Sequence, residues 1–160
     1  MSEIVYGVKE SAKALRRIDP ELRKEFDRKV REIASPIIDQ AKSNYSEHII
    51  PSGTRRVWSQ NGRKLFPFTV SKARQGIRTK VDTSNRNRSA ISVIQLNPAA
   101  AIFEFAGVAT DNSLGRAFTA KGRRPARVMW PAFYAKQDQV TGRIEDLVVE
   151  VEQLIERELG

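Results

Sequence analysis

The chain has no cysteine and a single histidine, His48, among its 160 residues. The first absence excludes disulfides, thiolate metal sites and cysteine nucleophiles. The second leaves no pair of imidazoles for a zinc site or a proton relay, and His48 falls in a loop after a helix, where a plain surface role is the ordinary one. Acids are scarce where chemistry would need them, since residues 51–130 contain only Asp82, Glu104 and Asp111. Asp82 ends a strand-like segment and Asp111 stands beside Asn112, both ordinary turn positions. Neither a carboxylate pair nor an acidic magnesium site is assembled from so few. Gly115, Gly122 and their neighbours match no phosphate-cradling spacing. No stretch approaches the ~20 apolar residues that span a bilayer. The start, Met-Ser-Glu-Ile-Val-Tyr-Gly, has neither a basic segment nor a long apolar one. These absences predict a soluble intracellular protein that is not an enzyme, with no cofactor, no metal and no membrane partner.

What the chain does have is charge, unevenly placed. Its formal net charge is +9, and residues 51–130 hold fifteen Lys and Arg against three acids. Residues 1–50 hold ten against nine, and residues 131–160 hold three against seven. A cationic middle followed by an anionic end attracts a polyanion, or the complementary zone of another copy of the same chain.

Spacing predicts helices at both ends. Val8, Ala12, Leu15 and Ile18 mark a short helix over about 8–18. Asp19-Pro20-Glu21 is a helix start: Asp19 accepts from free amides, Pro20 has no donor to lose, and Glu21 suits the positive end of the dipole. From Leu22 to Tyr45 the apolar residues step by three and four, predicting one helix over about 20–46 with a kink at Pro36. Asn61-Gly62 reads as a two-residue hairpin turn between Val57-Trp58 and Leu65-Phe66. Ile77, Thr79 and Val81 alternate with Arg78, Lys80 and Asp82, and Ala90 to Leu96 return as a second strand, giving a projecting basic hairpin with its tip at 83–88. Asn97-Pro98 breaks that strand, and Ala99 to Ala106 form a third short apolar segment, so about 54–106 is β-rich. Residues 107–127 lack any period and read as a long loop. A C-terminal helix follows over about 131–159. The expected fold is α+β, a single domain with long N-terminal and C-terminal helices packed on one antiparallel β-sheet.

Glu104 interrupts the most apolar run of the middle. In an extended segment Phe103 and Phe105 share one face and Glu104 the other, so it either faces water or sits at a partly buried edge beside an arginine such as Arg116 or Arg127. The basic residues Arg78, Lys80, Arg86, Arg88, Arg116, Arg123, Arg124 and Arg127 lack the spaced aromatics of a base-stacking surface, so a complementary protein surface is the sharper reading beside plain solubility.

The long N-terminal helix, Pro51-Ser52-Gly53-Thr54, the basic hairpin, the run Ala101-Ile102-Phe103-Glu104-Phe105-Ala106-Gly107, and Arg124-Pro125-Ala126 leading to Trp130-Pro131-Ala132-Phe133 together resemble a phage family. It is the tail-completion, or neck, proteins of long-tailed bacteriophages, similar to the lambda minor tail protein Z group. Gly53-Thr54 stands where many members have Thr-Gly, and only the Pro131-Ala132 end of their Pro-Phe-aliphatic-Pro-Ala motif is matched. The resemblance implies a structural virion protein at the head-tail junction, assembled in the host cytoplasm, with no catalytic residues. It implies a homo-oligomeric ring, a hexamer being one candidate, whose partners are other neck and tail proteins: the stopper or connector, the tail terminator and the tail tube. DNA would pass through the lumen without tight binding. A head-to-tail ring needs two unlike, complementary surfaces on each copy. The acids of the last helix, Glu145, Asp146, Glu150 and Glu152 with Glu156 and Glu158, are the candidate partners of basic residues on the next subunit or ring. Two other readings stay open: a sequence-independent nucleic-acid-binding module using the basic middle, and a regulator that binds a host protein.

Overall fold

A computed structural model describes residues 7–46, 58–60, 63–65, 68–82, 91–106, 116, 119–120 and 125–159. The element order is α1 (Val8–Ile18), α2 (Pro20–Asn44), β1 (Trp58–Gln60), β2 (Arg63–Leu65), α3 (Val70–Gln75), β3 (Ile77–Val81), β4 (Ile91–Gln95), α4 (Pro98–Phe105) and α5 (Met129–Leu159). The chain is mostly helical with little sheet, which is α+β at the coarse level. The strands do not form one sheet but two separate pairs, β1 with β2 and β3 with β4. Strands of three residues and of five are too short to gather a larger sheet between them.

Two compact units divide the chain, and neither is contiguous. The first takes residues 1–36, 79–93 and 136–160; the second takes 37–78 and 94–135. The borders fall inside α2, at Pro36, and inside β3, β4 and α5. α2 is assigned as one helix through Pro36, although the ring removes one backbone donor there.

In the first unit, α1 buries Val8, Ala12 and Leu15, α2 buries Phe26, Val30, Ile33 and Ala34, and α5 buries Val140, Ile144, Leu147 and Val148. These are helical spacings, so each helix contributes one apolar stripe. Asp19 ends α1 and its Oδ1 accepts the Glu21 N–H at 2.8 Å, capping α2. Gly7 caps α1 at φ 92, and a β-carbon there would meet Val148 Cγ1 at 2.7 Å, so only glycine satisfies both the backbone and the packing.

The second unit is built from shorter pieces. Ile37 and Ala41 of α2, with Tyr45 just past its end, are buried with Val70, Ala73, Ile77, Ala99, Ala100, Phe103, Val128 and Ala132. β1 and β2 are antiparallel with Trp58 opposite Leu65 and Gln60 opposite Arg63, leaving two residues, Asn61 and Gly62, to connect them. Thr69 caps α3 by accepting from the Lys72 N–H. The Leu96 N–H donates to the Gly76 carbonyl at 2.8 Å, which sets the start of β3 beside the end of β4, the antiparallel sense.

Two helices, α3 and α4, stand inside the region 54–106 that was expected to be β-rich. Residues 98–105 are a helix, not a strand: Asn97 accepts from the Ala100 N–H at 3.0 Å and Pro98 takes the first helical position. Within the expected long loop, Arg116, Thr119 and Ala120 are helical and Arg127 is buried.

Candidate functional site: a buried carboxylate at the start of α5

Among the described residues the second unit holds two buried charged side chains, Glu104 and Arg127, each 2% exposed. α4 places Glu104 on its inner face beside Phe103. Its Oε1 accepts from the Tyr45 hydroxyl at 3.3 Å, and its Oε2 accepts from the backbone N–H groups of Val128 at 3.1 Å and Met129 at 3.4 Å. Met129 opens α5, so a carboxylate from another helix serves amide donors at the start of α5, where the dipole also favours negative charge.

Arg127 performs the converse service for α4. Its Nη1 donates to the carbonyls of Phe103 at 2.7 Å and Glu104 at 3.2 Å, and its Nη2 to that of Ala106 at 2.9 Å. The Ala126 N–H adds a bond to the Glu104 carbonyl at 2.8 Å. Carbonyls at the end of a helix lack partners along the chain, and this guanidinium satisfies three in that segment. Its carbon also lies 5.6 Å from the centre of the Phe103 ring. Ala126 has φ 64, a left-handed conformation that costs about 1 kcal/mol for a residue with a β-carbon, and the surrounding bonds hold it there.

The electrostatics follow from burial. Loss of water pushes the Glu104 carboxyl above the ordinary carboxylate range, opposed by its bonds from Val128, Met129 and Tyr45. Burial lowers Arg127, opposed by the nearby Glu104 charge. Tyr45 is pushed up, first by burial and then by Glu104.

A second ring of amides and cations ties this pair to the rest of the unit. Gln95 donates to the Tyr45 hydroxyl at 3.3 Å and to the Ala73 carbonyl at 2.9 Å, and accepts from the Asn97 N–H at 2.8 Å. Gly76 makes room for it: a β-carbon at that position would lie 2.0 Å from Gln95 Oε1. Arg74 donates to the carbonyls of Lys42 and Tyr45 at 2.9 and 2.7 Å, satisfying the end of α2. Asn44 donates to the Val128 carbonyl at 3.3 Å. Tyr45, Phe68 and Phe103 pack with ring centres 5.7 to 6.4 Å apart.

Of the residues singled out from sequence, Glu104 and Arg127 are thus brought together. The reading of Glu104 as facing water is overturned, because its helix turns it inward. Arg116 is exposed and helical. Arg78 is exposed and donates to the carbonyl of Ile77; Lys80 pairs with Asp82 at 3.4 Å. Arg86, Arg88, Arg123 and Arg124, with His48 and Asp111, lie outside the described residues. Glu145, Asp146, Glu150 and Glu152 are exposed on α5, and Glu150 lies 3.9 Å from Lys29 of the same unit.

Sequence reasoning passed over Tyr45, Arg74, Gln95 and Asn97. Only Asn97 carried a local signal, Asn-Pro at a helix start, the same chemistry as Asp19-Pro20. Among the described residues no three His, Asp or Glu side chains group to hold a metal ion, and no described helix is long and apolar enough to cross a membrane. What the constellation does chemically is hold main chain: apart from the bonds that Tyr45 receives and gives, every hydrogen bond named here ends on a backbone group.

No family model matches the chain, and neither a curated protein nor a solved structure matches it.

Proposed function

We propose that the chain is a non-enzymatic structural subunit of the head-tail junction of a long-tailed phage, forming an oligomeric ring that joins the tail to the DNA-filled head. One observation supports the reading above others. Two of the sequence segments that carry the family resemblance, around Glu104 and the lead-in from Arg124 to Phe133, meet in space and exchange helix caps. A glutamate in an apolar run and an Arg-rich lead-in to a final helix are thereby parts of one structural joint, a role that needs no substrate. In this reading the protein works by presenting surfaces to other neck and tail proteins, and DNA slides through without a tight grip.

Native mass measurement of the purified chain, alone and mixed with neck and tail components, tests it. A closed ring or a stoichiometric complex is expected. A lone monomer in every mixture would exclude the reading.

A second reading draws on the charge of the second unit, thirteen Lys and Arg against four acids. A phosphate clamp would bind short duplex DNA with an affinity falling steeply as salt rises, through counterion release. A titration at two salt concentrations separates the two: the ring reading expects weak binding at physiological ionic strength.

A further inference from the structure

Five of the six large apolar side chains that are exposed among the described residues belong to the second unit: Leu96, Ile102, Phe105, Trp130 and Tyr134. Three aromatics form a cluster at the start of α5. Trp130 and Tyr134 stack with centres 5.7 Å apart, and Phe133 meets both edge-on at 5.8 and 5.7 Å. Trp130 is 42% exposed and Tyr134 61%. Preordered aromatic side chains on a helix are the residues that anchor protein interfaces.

The sixth exposed apolar residue, Val149, lies further along the same helix at 50% exposure. It stands in a stripe with Glu145, Glu152 and Glu156, all exposed at steps of four, three and four. Among the described residues neither Glu145 nor Glu156 has an ion-pair partner, whereas Glu150 lies beside Lys29. The helix therefore carries an aromatic anchor within a unit of net charge +9 and, elsewhere, an acidic stripe centred on one apolar side chain.

We propose that the cluster Trp130, Phe133 and Tyr134 receives the Glu145-Val149-Glu152-Glu156 stripe of a second copy, as the subunit contact of the ring. The proposal rests on the ring reading and supplies its interface. Anchor and stripe are different surfaces, so the contact is heterologous and repeats around a closed ring. The apolar contact supplies affinity, and the opposed charges supply register. A nucleic acid is the weaker occupant, because Arg127 is buried on internal carbonyls and the exposed Arg74 is held by the carbonyls of Lys42 and Tyr45.

The cysteine-free chain makes the test direct. Under mild oxidation Tyr134→Cys/Val149→Cys should give a covalent ladder of dimer, trimer and upward, each single variant should give none, and the two singles mixed should stop at a dimer. Cysteines at 130 or 134 paired with 145, 149 or 152 cover the uncertainty in register. In parallel, Trp130→Ala/Tyr134→Ala should weaken association at least about thirty-fold, the fold-change of aromatic hot spots, with circular dichroism unchanged. A ring that persists in this double variant, with no cross-link in any pair, overturns the interface and leaves the ring reading standing. Monomers in every mixture overturn both. Quenching of Trp130 by a short single-stranded oligonucleotide at physiological salt, in a Trp58→Phe background without association, would give the face to nucleic acid and overturn the proposal.

Discussion

The two units of this protein reach stability by different means. The first has fifteen Lys and Arg and fifteen acids, a net charge of zero; the second carries the whole excess of nine. In the first, α2 carries the ion pairs Arg23–Asp27, Lys24–Glu21 and Arg28–Glu32, and the interior is almost wholly apolar. The exposed pairs Lys24–Glu21 and Arg28–Glu32 contribute little, because solvent screens them, so burial of the helix stripes carries that unit. In the second unit charged groups are buried too, Glu104 and Arg127. Glu104, Arg127, Tyr45, Gln95 and Arg74 satisfy helix ends and one another across long sequence separations. The contrast teaches that a unit with short elements needs side chains to close the backbone ends that long helices expose only twice.

Removing a member of that internal set should break the contrast most strongly. Arg127→Met leaves three carbonyls and the Glu104 charge without their cation, and a loss of about 3 to 5 kcal/mol is expected. Hydrogen exchange should show the loosening first in residues 94–106 and 125–135. Equal loss of protection in both units would contradict it. Next in size is the matching lesion in the first unit: Gly7→Ala combines a left-handed backbone with a clash on Val148, for about 1 to 3 kcal/mol in urea unfolding.

Acidity sharpens the comparison through Glu104. Burial holds its carboxyl above the ordinary range, so the folded protein keeps a proton that the unfolded chain has already released. The contribution of this group is therefore greatest in acid, falls as pH rises from the ordinary carboxylate value to the raised one, and is level above it. Glu104→Gln removes that slope. The stability of the wild type relative to the variant, from urea midpoints between pH 4 and 8, should decline with rising pH, and an increase would refute the assignment. The smallest effect expected is that of salt, roughly 0.5 kcal/mol. Screening relieves repulsion within the second unit and leaves the neutral first unit unchanged, so raising salt should increase exchange protection in residues 37–46 and 68–78 but not in 8–35.

How far the sequence could be read follows the same division. α1, α2 and most of α5 were legible because their apolar stripes repeat every three or four residues and Asp19-Pro20 marks a boundary. The alternation of Ile77, Thr79 and Val81 pointed to β3, and Asn61-Gly62 located the connection between β1 and β2. α4 is hard to read since eight mostly apolar residues carry no clear period, and Asn97-Pro98 reads as the end of a strand as readily as the start of a helix. Of the candidate site, Glu104 and Arg127 stood out by their chemistry, one an acid among apolar residues, the other a cation near a helix. Their true partners are separated from them by tens of residues and are largely backbone groups, which no side-chain pattern records. Tyr45 fitted the apolar stripe of α2 so well that its hydroxyl went unconsidered.

Arg127 also orders events in time. α4 is completed by a guanidinium that the ribosome adds more than twenty residues after the helix itself, and the other unit draws its third segment from residues 136–160. While translation is under way, the growing polypeptide therefore has neither half finished. Final folding waits for the last segment, and a nascent chain stalled before Arg127 should remain a target for chaperones and proteases.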